Sequence, residues 1–133
     1  MDRVNCRTYF GGIRIQRSDD ARGIDKPRPD LLVLGNEILN RSYVTEPLVI
    51  VEVLAQLSID LDWGEKLRFY KSLPTLVHLV LVYQDQVRVE HYAKRDVGWT
   101  LKTATAVRDY LVLESIGFEI ALETVYFGVD PAP

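Results

Sequence analysis

The sequence predicts a mixed α/β fold of the α+β kind, in which one mixed β-sheet carries few helices. Three observations lead there. Two runs, Leu31-Leu32-Val33-Leu34 and Leu48-Val49-Ile50-Val51-Glu52-Val53-Leu54, are apolar almost throughout, as strands buried on both faces are. A single longer stretch, residues 62–73, joins a helix-start signal to helical spacing of its apolar side chains. The elements run hairpin, strand, strand, helix, hairpin and tail, without the strand–helix alternation of a parallel sheet.

Taken in order, residues 1–17 alternate around Tyr9, Ile13 and Ile15, with Gly11-Gly12 between them, and this predicts a hairpin. Residues 18–29 are polar and hold Gly23, Pro27 and Pro29, so they read as a loop. Residues 31–34 are a strand. Residues 35–47 are a connection with a helical turn around Ile38-Leu39. Residues 48–54, rich in β-branched side chains, are the clearest strand.

In the helix, Asp62 and Glu65 match a capping box, with Asp in place of Ser or Thr. Leu67, Tyr70 and Leu73 share one face, and Pro74 ends the element. Residues 76–83 and 87–92 form two strands around Gln84-Asp85-Gln86. In the second, Val87, Val89 and His91 face one way, and Arg88, Glu90 and Tyr92 the other. Residues 99–106 are a further strand. Residues 117–127 start extended and end in a short helix through Leu122 and Val125. There is no internal repeat or linker, so residues 1–133 read as one domain.

Composition narrows the function. The chain has 133 residues, 47% hydrophobic and 26% charged, and a formal net charge of −3. A protein that gripped nucleic acid through charge alone would be basic. Any such chemistry must therefore rest on a local basic patch or a metal ion. The single cysteine, Cys6, permits no intrachain disulfide and suits a reducing compartment. No apolar run approaches the ~20 residues of a membrane span, and the N-terminus lacks a signal-peptide pattern. A cytoplasmic location is expected.

Glu52 interrupts a run whose neighbours are buried. An unpaired buried carboxylate is costly, so it must be paired, protonated or bound to a cation. Asp30 stands at the mouth of the preceding strand, directly after Pro29. Adjacent strands lie about 4.8 Å apart, and two carboxylates at that separation repel unless a proton or a divalent cation lies between them. Magnesium suits such oxygen ligands, with manganese as a substitute. Lys66, at the start of the helix, can point back over the strand ends and stabilise a phosphate. The three together fit metal-assisted phosphodiester hydrolysis. Salt-bridged structural carboxylates fit the same residues, and Lys66 could pair with Asp62 instead.

Of the other candidates, His78 and His91 stand too far apart and too poorly accompanied for a zinc site, and His78 reads as a packed core histidine. Cys6 reads as a small core residue. Trp63 lies beside the candidate site. Arg14, Arg17, Arg22, Lys26 and Arg28 precede Asp30 and could contact phosphates or simply be solvated.

The string from Pro29 to Tyr70 is more specific than the bare triad. Pro29-Asp30 precedes an apolar strand, Pro47-Leu48-Val49-Ile50-Val51-Glu52-Val53-Leu54 follows, and Asp62-Trp63-Gly64-Glu65-Lys66-Leu67 leads to Tyr70. This resembles the Uma-two family of endonucleases, which is greatly expanded in cyanobacteria. The likeness continues through Val87-x-Val89-Glu90-x-Tyr92, Gly98-Trp99 and Leu113-Glu114-Ser115-Ile116-Gly117, and covers the opening Cys6-Arg7 and Ile13-Arg14-Ile15.

The resemblance implies a PD-(D/E)XK, restriction-endonuclease-like fold and a magnesium-dependent nuclease acting on duplex DNA as a homodimer. It places the family's acidic residues on Asp30 and Glu52. The usual lysine two positions after the glutamate is Leu54 here, and the family's amine falls on Lys66. Asp62 and Tyr70 take supporting roles. Family members carry a longer N-terminal part, a helix and hairpin that bring a further glutamate towards the metal. Their Ser-Pro-Ser-Thr after the strand reads Ala55-Gln56-Leu57-Ser58 here. These departures raise the alternative of a degenerate, non-catalytic member acting by protein association, with an exposed apolar patch.

Overall fold

The chain builds a six-stranded sheet with strand order β1-β3-β5-β6-β7-β8, flanked by two short two-stranded ribbons. The computed structural model describes residues 6–11, 13–17, 27–35, 43–55 and 61–129. The strands of the main sheet are β1 (Arg7–Phe10), β3 (Leu31–Leu34), β5 (Pro47–Leu54), β6 (His78–Tyr83), β7 (Val89–Arg95) and β8 (Gly98–Ala104). One ribbon pairs β2 (Arg14–Ile15) with β4 (Tyr43–Val44), and the other pairs β9 (Tyr110–Leu113) with β10 (Phe118–Ala121). The helices are α1 (Leu61–Lys71) and α2 (Leu122–Val125), with a 3-10 turn at Glu114–Ile116. All neighbours in the main sheet are antiparallel except β5 and β6, whose parallel pairing is made possible by the α1 crossover. The predicted mixed sheet with few helices is what forms.

Alternation along each strand sorts the core into two layers. Leu32, Leu34, Ile50, Leu54, Leu79 and Leu81 project to one face, where Tyr70, Leu73 and Leu76 from α1 and the segment after it cover them. Val33, Val49, Val80, Val89 and Ala104 project to the other, beneath Leu111, Leu113, Leu122 and Tyr126. Burying a Leu or Val side chain is worth ~1.5–3 kcal/mol, so these two layers hold the sheet between α1 and the β9–β10 ribbon.

Three sequence expectations need correction. Among the described residues of the stretch 1–17, β1 and β2 do not pair with each other as a hairpin. β1 instead pairs antiparallel with β3, and β2 pairs in parallel with β4. Gly11, at a positive φ of 52°, turns the chain away from the sheet, and its N–H donates to the Asp30 carbonyl at 2.9 Å. The described helix already includes Leu61, ahead of the Asp62 start that the sequence reading gave it. β9, absent from the sequence reading, is a run of four residues after the Asp109 turn. The helical turn expected at Ile38-Leu39 and most of the loop at 18–29 lie outside the described residues, as do Arg22, Lys26 and the side chains of Asp62 and Trp63.

Candidate active site

Glu52 sits near the C-terminal end of β5, on the face covered by α1. Its neighbours in the parallel ladder are apolar, with Leu81 opposite it on β6. Only 4% of the residue is exposed. Its two oxygens are held from one side of α1. Tyr70 Oη donates to Oε1 at 2.7 Å, and Lys66 Nζ donates to Oε2 at 3.3 Å. Residues four apart on a helix stack on one face, so Lys66 and Tyr70 reach the same carboxylate. Tyr70 is fully buried, whereas the Lys66 side chain is 32% exposed. The tyrosine thus fixes the carboxylate from inside, and the lysine closes it from the solvent side.

Asp30 enters from β3. The antiparallel register pairs Leu31 with Val51, and one further step sets Asp30 across from Glu52. The backbone ladder stops there, and the aspartate side chain completes it: Val53 N–H donates to Asp30 Oδ2 at 2.7 Å. Asp30 is exposed, and its Oδ1 makes no hydrogen bond among the described residues. The structure therefore brings together Asp30, Glu52 and Lys66 as the sequence expected, and adds Tyr70 as a direct partner of Glu52.

The electrostatics follow from this placement. Burial pushes the Glu52 carboxyl above its usual pKa range. The Tyr70 hydrogen bond and the Lys66 charge pull it back, and the Asp30 charge pushes it up again. Tyr70 is driven far up, by burial first and then by the Glu52 charge and hydrogen bond, so it remains a phenol and a donor at any ordinary pH. The Asp30 charge beside the buried Glu52 favours a proton or a cation at Glu52. Among the described residues there is no group of three or more His, Cys, Asp or Glu that could hold a metal, so this pair offers two protein ligands.

Outside the site, the sequence expectation that His78 and His91 are far apart is overturned. His78 pairs with Ala93 and Val80 with His91, which places the two histidines diagonally on adjacent strands. His78 Nδ1 and His91 Nε2 are 2.8 Å apart. Both are buried, on the face away from Glu52. Cys6 is free and packs against the second core layer. Arg14 and Arg17 each make a contact within the protein. No helix among the described residues is long and apolar enough to cross a membrane.

No protein-family model matches the chain. It is 34% identical over 87 residues to the Synechocystis sp. (strain PCC 6803) protein slr1290, covering 65% of this chain and 46% of that one. It is 36% identical over 78 residues to sll1609 of the same organism, covering 55% and 44% respectively. Each match thus spans less than half the length of the relative. The fold is similar to the crystal structure of a candidate nuclease belonging to DUF820 from Anabaena variabilis ATCC 29413. The TM-score is 0.70 and the identity 12%, over 93% of this chain and 69% of that one.

Proposed function

We propose that the chain is a nuclease of the Uma-two type within the PD-(D/E)XK group, hydrolysing phosphodiester bonds of duplex DNA with Mg2+ or Mn2+. The observation that carries this reading is Glu52, a buried carboxylate set opposite Asp30 and gripped by Lys66 and Tyr70 from one helix face. The donor set fits a hard divalent cation, since Asp30 Oδ1 is open and both residues offer carboxylate oxygen. The ion, held by Asp30 and Glu52, would supply Lewis acidity at the phosphodiester. The protein's own part is positional. Tyr70 holds Glu52 in one rotamer through Oε1. Val53 N–H holds Asp30 through Oδ2. Lys66, partly exposed, can turn its ammonium from Glu52 to a phosphate oxygen and offset the charge that grows there. The fold likeness to the DUF820 protein supports this reading.

Calorimetric titration of Mg2+ and a DNA cleavage assay test it together. Saturable binding and cleavage, both lost in Asp30→Asn and Glu52→Gln, are the expected results. Cleavage that survives these substitutions would overturn the assignment.

A second reading, association without catalysis, draws on a different face. An apolar groove of about 440 Å3 runs between β1-β3-β5 and the β9–β10 ribbon, lined by Leu31, Val33, Val51, Leu113, Ile116 and Phe118 among others. A groove of this character favours self-association of the chain. A monodisperse monomer that cleaves DNA would sink this reading.

A further inference from the structure

A small cleft of about 80 Å3 lies between β7, β8 and β9, on the face of the sheet opposite Glu52. Its polar lining is His91 and Arg95 from β7, Thr100 and Lys102 from β8, Tyr110 from β9, and Glu114 from the 3-10 turn. None of these groups serves the site described above. His91 and Lys102 are direct cross-strand partners, so their side chains leave the sheet side by side.

The hydrogen-bond chain fixes what His91 offers to the cleft. Ser115 N–H donates to His78 Nε2 at 3.4 Å, so that nitrogen carries no proton and the His78 proton sits on Nδ1. His78 Nδ1–H then donates to His91 Nε2 at 2.8 Å. The proton of His91 is thereby assigned to Nδ1. That N–H belongs to a residue only 8% exposed and has no acceptor among the described residues.

The charges around it are unbalanced. Arg95 Nη2 donates to Glu114 Oε1 at 2.9 Å, an exposed pair that engages one nitrogen of the guanidinium. Lys102 takes part in no hydrogen bond or ion pair among the described residues. The cleft therefore presents a cation and an N–H donor that is not sealed from solvent, with a second cation engaged at one edge of its guanidinium. One water needs ~10–15 Å3 of such space, so the cleft holds a few waters or one phosphoryl-sized group.

We propose that this cleft binds a small oxyanion, of the class of inorganic phosphate or the terminal phosphoryl group of a nucleotide, through His91 Nδ1–H, Lys102 and Arg95. The site stands independently of the Glu52 centre. It also sets a pH dependence. His91 is held at a pKa of about 4 by burial first, then by His78 from β6, Arg95 from β7 and Lys102 from β8, against an upward pull from Glu114. An anion opposes the lowering causes, so it raises the His91 pKa, and by reciprocity it binds more tightly as pH falls.

The chain contains only two histidines, so their ring resonances report the site directly by NMR. Inorganic phosphate, a 5′-nucleotide and its nucleoside are titrated in parallel. Saturable shifts of the His91 signals are expected, with affinity about tenfold weaker in Lys102→Ala and tighter in Glu114→Gln. A 5′-nucleotide that outbinds phosphate, while the nucleoside fails, identifies a terminal phosphoryl group. Phosphate that binds as well or better identifies the free anion. The absence of a saturable shift, or a shift indifferent to Lys102→Ala, overturns the proposal. Because Lys102 is exposed and unpaired among the described residues, that variant keeps the fold.

Discussion

Glu52 concentrates the conflict from which the site arises: a carboxylate whose ionised form is disfavoured by burial and kept by two donors. Its raised pKa means that the folded state holds the proton more tightly than the unfolded chain does. Stability therefore falls as pH rises through the window above the unfolded carboxylate value of ~4.3. Glu52→Gln removes that penalty. In the absence of divalent cations the variant should melt at a higher temperature than the wild type at neutral pH, and the gap should shrink on acidification; calorimetric scans across pH check this. Tyr70→Phe acts in the opposite sense. It strips the donor from a buried Oε1, which should cost roughly 1–3 kcal/mol in urea unfolding and raise the pH at which metal binding sets in. The buried, partnered state of Glu52 was legible in the sequence because a charge inside an apolar strand needs a reason. For Tyr70 only the resemblance signalled a supporting role; by spacing alone, at i+3 from Leu67 and i−3 from Leu73, it looks like any member of a buried face.

At the scale of elements, the strands with strong local signals were legible. β3, β5 and the β6–β7 hairpin declare themselves through apolar runs or alternation. The pairing of β1 was not, because Gly11-Gly12 signals a turn without naming a partner. The partner is decided by distant residues, with Tyr9 seated opposite Leu32. The contact of His78 with His91 also needs the register of β6 against β7, which pairs His78 with Ala93 and Val80 with His91.

Two predictions belong to this scale. Gly64 lies inside α1, and among the described residues a Cβ there would meet only Arg68 Nη2, at 4.0 Å. Gly64→Ala should therefore stabilise the protein by ~0.5–1 kcal/mol in chemical unfolding. The histidine pair joins β6 and β7 to the 3-10 turn after β9. His91 is neutral when folded, with its pKa lowered to about 4. The unfolded chain thus takes up a proton first. The contribution of the pair is complete above ~6.5 and is lost as pH falls from there towards about 4. His91→Gln should flatten that part of the stability–pH curve, as read by urea midpoints.

For the whole molecule, the decisive feature is that its two sheet faces are finished differently. The Glu52 face is closed by α1 and the β2–β4 ribbon around a continuous core. The other is closed over β6 to β8 by the β9–β10 ribbon and α2, while over β1, β3 and β5 it remains the groove of about 440 Å3. Phe118 at 45% exposure and Val53 at 41% extend apolar surface on and beside it. A net charge of −3 is small for a chain of 133 residues, so repulsion between copies offers little resistance to contact. Self-association through this face is therefore expected to grow with protein concentration and to resist salt, because its driving force is apolar burial and not charge. Phe118→Lys places a cation at the rim without touching either buried layer. It should shift the weight-average mass in sedimentation equilibrium towards the monomer, while leaving the metal binding proposed for Asp30 and Glu52 on the opposite face unchanged. An unaltered association constant in that variant would place the contact elsewhere on the surface. A loss of metal binding alongside monomerisation would show instead that the two faces are coupled through β3 and β5, the strands that carry Asp30 and Glu52 at one end and line the groove along their length.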